Sequence, residues 1–335
     1  MMPRAFITGC EGQVLGAAEK AFFRDAQPFG LILFARNCAT PEQIRNLTDE
    51  FRECVGRGDA PVLIDQEGGR VMRLKPPVWR EYAPAVKIGQ LYQQDHGKGQ
   101  ELARIFGRLL GAQLRPLGVN VDCVPLLDVP VPGAHEIIGE RAFSRDVEAI
   151  IALGRALSEG LMQGGCLPVI KHIPGHGRAG CDSHEDLPVV TALAKELEEN
   201  DFLPFRALNT SLFAMTAHVI YTAYDKDHPA TVSRRVIRDV IRGKIGFANL
   251  LMSDDLSMKA LKGSIGARTR AAMAAGCDLA LHCNGDMEEM LEVAQNVPAF
   301  GESAQRMYAE AMASCGCNAF DDDYARYVAL LDEVS

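Results

Sequence analysis

Apolar and polar positions along the chain follow two alternating rhythms. Short, β-branched apolar runs are separated by longer stretches in which apolar residues return with helical spacing. The runs that predict strands are "RAFITG" (4–9), "GLILFA" (30–35), "APVLIDQ" (60–66) and "VNVDCVPLL" (119–127). Four more follow: "LPVIKHI" (167–173), "LFAMTAHV" (212–219), "NLLMSDD" (249–255) and "DLALHC" (278–283). Two of the intervening helical segments have legible ends. "PEQIRNLTDEFRECV" starts with Pro41 at its first position behind Thr40 as N-cap, and "SRRVIRDVIRGKIG" is capped by Ser233 and stopped by Gly246. A helix near 286–296 and a helical tail near 302–332 follow the last strand.

Eight strand–helix units in 335 residues predict an α/β chain folded as a single (β/α)8 barrel of the TIM type, one domain over 1–335 with the tail packed on it. The competitor is an open doubly wound sheet. Neither a G-x-G-x-x-G after the first strand nor a G-x-x-x-x-G-K-[ST] anywhere supports it.

A barrel places its chemistry at the C-terminal strand ends and the loops beyond them. The polar exceptions to the apolar runs fall there: Asp65, Asp128, Lys171 with His172, His218, Asp254 with Asp255, and His282. Burying such groups is costly unless they are paired or functional. Each also has a plainer reading. Asp65 can cap a turn, and Lys171 can snorkel or serve as a Schiff-base lysine. Asp128 reads as structural, His218 as a satisfied core histidine, His282 as packing and His176 as loop support.

Composition narrows the choice. A net charge of −9 with no Lys/Arg cluster argues against a nucleic-acid partner. "MMPRAFITGCEG" lacks a signal-peptide core, and no apolar run approaches a membrane span, so a cytoplasmic protein without membrane contact is expected. The ten cysteines contain no C-x-x-C and read as reduced, mostly buried thiols.

The densest chemistry lies in "KHIPGHGRAGCDSHEDLP" (171–188). His172, His176, His184 and His218 could form a zinc site in a metal-dependent barrel amidohydrolase. The H-x3-H-x7-H spacing crosses a Pro- and Gly-broken loop, however, so no helix fixes the ligands. No metal and no cofactor is the preferred expectation. A glycoside reading uses the residues more fully: Asp254, mounted at a strand end, attacks the anomeric carbon. His184, oriented by Asp182, gives a proton to the leaving oxygen and takes one back. Strand alternation sends the neighbouring Asp255 to the opposite side.

"LIDQEGGRVMRL" (63–74), "IIGERAFSRD" (137–146), "KHIPGHGRAGCDSH" (171–184), "MTAHVIY" (215–221) and "LMSDDLSM" (251–258) occur in that order. Together they resemble glycoside hydrolase family 3, in its β-N-acetylhexosaminidase branch of the NagZ type. The resemblance implies a retaining exo-β-N-acetylglucosaminidase, without cofactor and possible as a monomer. Its substrate would be GlcNAc-1,6-anhydro-MurNAc and its peptides, saccharide fragments of peptidoglycan. It also implies Asp254 as nucleophile, His184 with Asp182 as acid/base, and Asp65, Arg73, Arg141, Lys171 and His172 as sugar-binding residues. Ile173 in place of the usual Phe, Ala142 and Ser144 in the second motif, and Cys181 before the D-S-H are its departures.

Overall fold

The structure is a computed structural model that describes residues 2–133, 135–180, 187–316 and 322–334. Its strands are β1 (Arg4–Thr8), β2 (Pro28–Leu33), β3 (Val62–Ile64), β4 (Val121–Asp122), β5 (Leu167–Ile173), β6 (Val189–Val190), β7 (Phe213–Thr216), β8 (Ile220–Tyr221), β9 (Leu250–Asp255) and β10 (Leu279–His282). Eight of them close a parallel barrel in the order β1-β2-β3-β4-β5-β7-β9-β10, with β10 returning to β1. The (β/α)8 barrel expected from the sequence is therefore the observed fold.

Both faces of these strands are buried, which explains why they read as continuous apolar runs. Alternation still sorts them. Ala5, Ile7, Leu63, Val121, Val169, Phe213, Met215, Leu250, Met252, Leu279 and Leu281 fill the barrel interior. Their neighbours Phe6, Ile64, Ile170, Ala214, Leu251 and Ala280 join the layer between barrel and helices.

Every strand candidate overlaps one barrel strand, with shifts at the edges. β2 begins earlier than expected, at Pro28. β4 shrinks to two residues: just beyond it the Val124 N–H turns back to the Asp122 carbonyl at 2.8 Å. Two short parallel strands left no pattern in the sequence: β6 pairs with β8 beside the barrel. Thr40 caps Pro41–Val55 as expected, its side chain accepting from the Gln43 N–H at 3.2 Å.

The tail forms two helices instead of one. Glu302–Ala313 closes the N-terminal end of the barrel. There Tyr308 donates its hydroxyl to the Asp59 carbonyl at 2.8 Å and accepts from Asn120 Nδ2 at 2.9 Å. Asp323–Asp332 lies on the outer helices. It is fixed by Arg108, which grips both carboxylate oxygens of Asp323 at 2.7 and 2.6 Å. Among the described residues no helix is long and apolar enough to cross a membrane.

Candidate active site

At the opposite, C-terminal end a cleft of about 220 Å3 opens into the barrel mouth. Asp65, Arg73, Arg141, Lys171, His172 and Asp254 all border it, so six of the expected site residues meet in one place. Asp182 and His184 lie outside the described residues.

The interior parity of the strands explains much of this convergence. Lys171 follows Leu167 and Val169, Asp254 follows Leu250 and Met252, and Asp65 follows Leu63, each continuing the inward-facing row one step past the apolar filling. His218 and His282 continue outward rows. Both are fully buried behind the barrel wall. His172 escapes the rule because the register shifts between Lys171 and Ile173, which brings two successive side chains to the cleft.

Five charged side chains form an alternating chain across the floor. Arg73 Nη2 contacts Asp65 at 3.0 Å, and Lys171 Nζ contacts Asp65 at 2.8 Å and Glu67 at 2.6 Å. Arg141 then grips both oxygens of Glu67 at 2.8 Å each. Burial alone would raise the Asp65 carboxyl, but Lys171 and Arg73 outweigh it and hold that group well below the carboxylate range. The same competition, won by Arg141 and Lys171, brings Glu67 down to about 2. Lys171 is buried, yet its two carboxylate partners raise its pKa above the ordinary lysine value. It is therefore a fixed ammonium, which removes the Schiff-base reading.

Glu67 was not among the expected site residues. The signal was available: it stands two residues after Asp65, the spacing that returns a side chain to the same side of an extended segment. Gln66 between them is buried and turns the other way. It accepts from the N–H groups of Arg73 and Leu74 at 2.9 and 3.0 Å and so fixes the loop that delivers Arg73.

Asp128 is structural, as expected, and its task is now visible. Its Oδ2 lies 2.7 Å from His172 Nδ1, while its Oδ1 accepts from the N–H groups of His172 at 3.1 Å and His176 at 2.6 Å. One carboxylate thus orients the His172 ring and the first turn of the following loop. Burial works against its ionised form, but the two histidines prevail and keep its pKa below the ordinary value. His176 is buried, and burial lowers its ring pKa to about 4.

The adjacent acids of β9 differ. Asp255 accepts from Ser257 Oγ at 2.6 Å, the Ser257 N–H at 3.0 Å and the Cys283 N–H at 3.1 Å, so its carboxylate is committed to the turn after β9. The Asp254 N–H is held by Thr216 Oγ1 at 3.2 Å, which fixes the backbone under the carboxylate. Alternation separates the two less sharply than expected, because Asp255 also borders the cleft at the strand end.

His218 does not join a histidine cluster. Its Nδ1 lies 2.7 Å from Thr231 Oγ1 and its Nε2 lies 2.9 Å from the Asp255 carbonyl, so both ring nitrogens are occupied. Burial lowers its pKa and favours the neutral ring. His282 is likewise engaged, with Nε2 2.8 Å from Glu289.

The model of the glycosyl hydrolase family 3 N-terminal domain matches residues 14–312. The chain belongs to glycosyl hydrolase family 3. Curated relatives of this family member include a beta-hexosaminidase of Alkalilimnicola ehrlichii, 38% identical over 85% of this chain and 82% of the relative. A beta-hexosaminidase of Chromobacterium violaceum is 35% identical over 96% of this chain and 89% of its own length. Among solved structures, native NagZ from Neisseria gonorrhoeae superposes with a TM-score of 0.88 at 29% identity, covering 100% of this chain and 99% of the other. The same Neisseria protein has been solved in complex with N-trifluoroacetyl-D-glucosamine, with equal coverage and TM-score at 28% identity.

Proposed function

We propose that this family 3 hydrolase is a retaining exo-β-N-acetylglucosaminidase acting on peptidoglycan-derived saccharides, GlcNAc-1,6-anhydro-MurNAc and its peptides. Family membership makes it a glycoside hydrolase, and the beta-hexosaminidase relatives make a β-N-acetylhexosaminide its substrate class. The Neisseria complex with an N-acylated glucosamine supports the same class of sugar.

The observation that carries the reading is the position of Asp254: it ends an inward-facing row on the cleft, its N–H held by Thr216 Oγ1 and its Oδ1 accepting from the Asp255 N–H at 2.8 Å, beside the ion chain that Asp65 and Glu67 form with Lys171. Asp254 attacks the anomeric carbon and forms a covalent glycosyl-enzyme as the glycosidic bond breaks. His184, paired with Asp182, protonates the departing oxygen, then takes a proton from the water that releases the sugar. Asp65, Arg73, Arg141, Lys171 and His172 hold hydroxyls and the acetamido group. The ion chain suits this task because its members are already fixed when the sugar arrives, so little ordering entropy remains to be lost. A cleft of about 220 Å3 lies below the roughly 300–1,000 Å3 of drug-sized ligand sites and suits one terminal sugar.

Trapping with a 2-deoxy-2-fluoro glycosyl inactivator, followed by peptide mapping, tests the nucleophile. The label is expected on Asp254. A label on Asp255, or none, would refute the assignment. Product analysis with GlcNAc-1,6-anhydro-MurNAc tests the substrate.

A further inference from the structure

The last two residues of β9 are gripped from behind the barrel wall. The Asp254 N–H donates to Thr216 Oγ1 at 3.2 Å, and the Asp255 carbonyl lies 2.9 Å from His218 Nε2. Thr231 Oγ1 stands between the two grips, 2.7 Å from Thr216 Oγ1 and 2.7 Å from His218 Nδ1. Side chains from β7, the loop after it and the turn Ala230–Val232 thereby close a ring onto one dipeptide. Thr216, His218 and Thr231 are all fully buried, and none of them borders the cleft.

The proton positions follow from the donors available. A carbonyl only accepts, so His218 Nε2 carries the proton that reaches Asp255. Burial, with His172 adding to it, lowers the ring pKa against the pull of Asp254 and Asp255, so the ring is neutral and Nδ1 is left as an acceptor. Thr231 then donates to Nδ1, its shorter contact, since the Ala217 carbonyl lies 3.2 Å away. Thr216, which already accepts from Asp254, donates in turn to Thr231. The bonds run one way, from the Asp254 N–H through two hydroxyls and the imidazole to the Asp255 carbonyl. Between the gripped atoms lies the Asp255 N–H, which donates to Asp254 Oδ1 at 2.8 Å. Holding the dipeptide at both ends therefore also fixes the orientation of the Asp254 carboxylate.

We propose that Thr216, Thr231 and His218 are positioning residues for the nucleophile: their hydrogen-bond ring sets where the Asp254 carboxylate stands relative to the anomeric carbon. This rests on the assignment of Asp254 as the nucleophile. Placement matters because a displacement of 1 Å costs up to about a hundredfold in rate. A reacting group keeps its place when the residues beneath it are locked by packing and by hydrogen bonds of their own. Packing alone does not call for this ring. The outward rows of the same wall carry Ile170, Ala214 and Leu251, which fill the space with no polar group to satisfy. A buried polar network is high-stakes: it rigidifies its surroundings when complete, and is worse than an apolar core when one member is missing.

The test reads the covalent step directly, as the limiting rate constant of inactivation by a 2-deoxy-2-fluoro glycosyl inactivator. It is measured beside the inhibition constant of GlcNAc and the melting temperature for Thr231→Val, Thr216→Val and Thr231→Ser. Both valine variants are expected to lower the rate constant by about tenfold or more, with the GlcNAc constant changed less than about twofold. Thr231→Ser keeps the hydroxyl and is expected to recover most of the rate. If the valine variants lose melting temperature but keep the rate, or lose GlcNAc affinity as much as rate, the ring is structural and the proposal is refuted. A label on a residue other than Asp254 in the parent removes the nucleophile assignment, and the ring's role with it. The unaltered protein gives a second check that does not depend on the variants folding. NMR of the histidine ring nitrogens at neutral pH is expected to show His218 protonated at Nε2 and bare at Nδ1. A proton on Nδ1 alone would leave the Asp255 carbonyl without this donor and overturn the proposal.

Discussion

The two ends of the barrel are built from the same eight strands and are opposites in chemistry. At the N-terminal end the interior is closed by rings: Phe29 lies 4.3 Å from Phe300 and 5.3 Å from Tyr308, centroid to centroid. The polar side chains among them, Asn120 and Tyr308, are neutral and satisfy one another or backbone groups, and the charged Arg52 and Arg57 at the rim donate to backbone carbonyls. At the C-terminal end the inward rows finish in Asp65, Lys171 and Asp254, and five buried or half-buried charges lie side by side. A buried ion pair seldom stabilises more than apolar packing of the same volume would. The mouth therefore holds its charges for binding and reaction, and the other end supplies packing. Substitutions should separate accordingly: activity without stability at the mouth, stability without activity at the closed end.

The strongest separation is expected at Asp254. Asp254→Asn should lower kcat by about a thousandfold or more, because the covalent step has no substitute, while the melting temperature stays within a few degrees of the parent. Steady-state kinetics beside calorimetry check both halves. A melting temperature that falls with the rate would make Asp254 a structural residue.

Lys171 is the position at which the comparison should break. Lys171→Met leaves Asp65 and Glu67 buried without their shared cation, a change that costs about 3–5 kcal/mol when one partner of a buried pair is removed. Both stability and sugar affinity should fall, measured by urea unfolding and GlcNAc inhibition. Combining it with Asp65→Asn should cost less than the sum of the two single changes, because they share one network.

Tyr308→Ala is the counterpart at the closed end. Removing a buried ring from the barrel floor should cost about 3–5 kcal/mol in urea unfolding, with kcat/KM unchanged at a temperature where the variant is folded. A change in kcat/KM under those conditions would show that the two ends are coupled.

The smallest effect concerns pH. Asp65 and Glu67 both have depressed pKa values, so the stability and affinity they provide are fully present above the ordinary carboxylate range. That contribution is lost only as the pH falls through their folded values, about 2 for Glu67. GlcNAc affinity is therefore expected to vary less than about twofold between pH 5 and 8 as far as these two carboxylates set it. A loss centred between pH 4 and 5 would show that the ion chain does not hold them ionised.

Much of the site is legible in the amino-acid sequence, for a specific reason. Strand alternation is a local property, so once "LPVIKHI" and "NLLMSDD" are strands, Lys171 and Asp254 must extend the rows set by Val169 and Met252. Glu67 is equally legible by that rule, two residues beyond Asp65, but nothing local marks it as a site residue because its partners are distant. Lys171 is 106 positions from Asp65, and Arg141 is 74 from Glu67.

The sequence by itself determined the eight strands, the side of the barrel on which chemistry would lie, and the family motifs. Each of these depends on neighbours in the chain and on backbone periodicity. Tertiary structure alone decided which charges pair, that His218 is occupied at both nitrogens, and that Asp128 serves His172. It also decided that Arg178 reaches Asp201, and that the tail divides, with one helix closing the barrel. Those outcomes depend on distances between residues far apart in sequence. Such distances are fixed only when the barrel closes and burial forces every charged or polar group to find a partner.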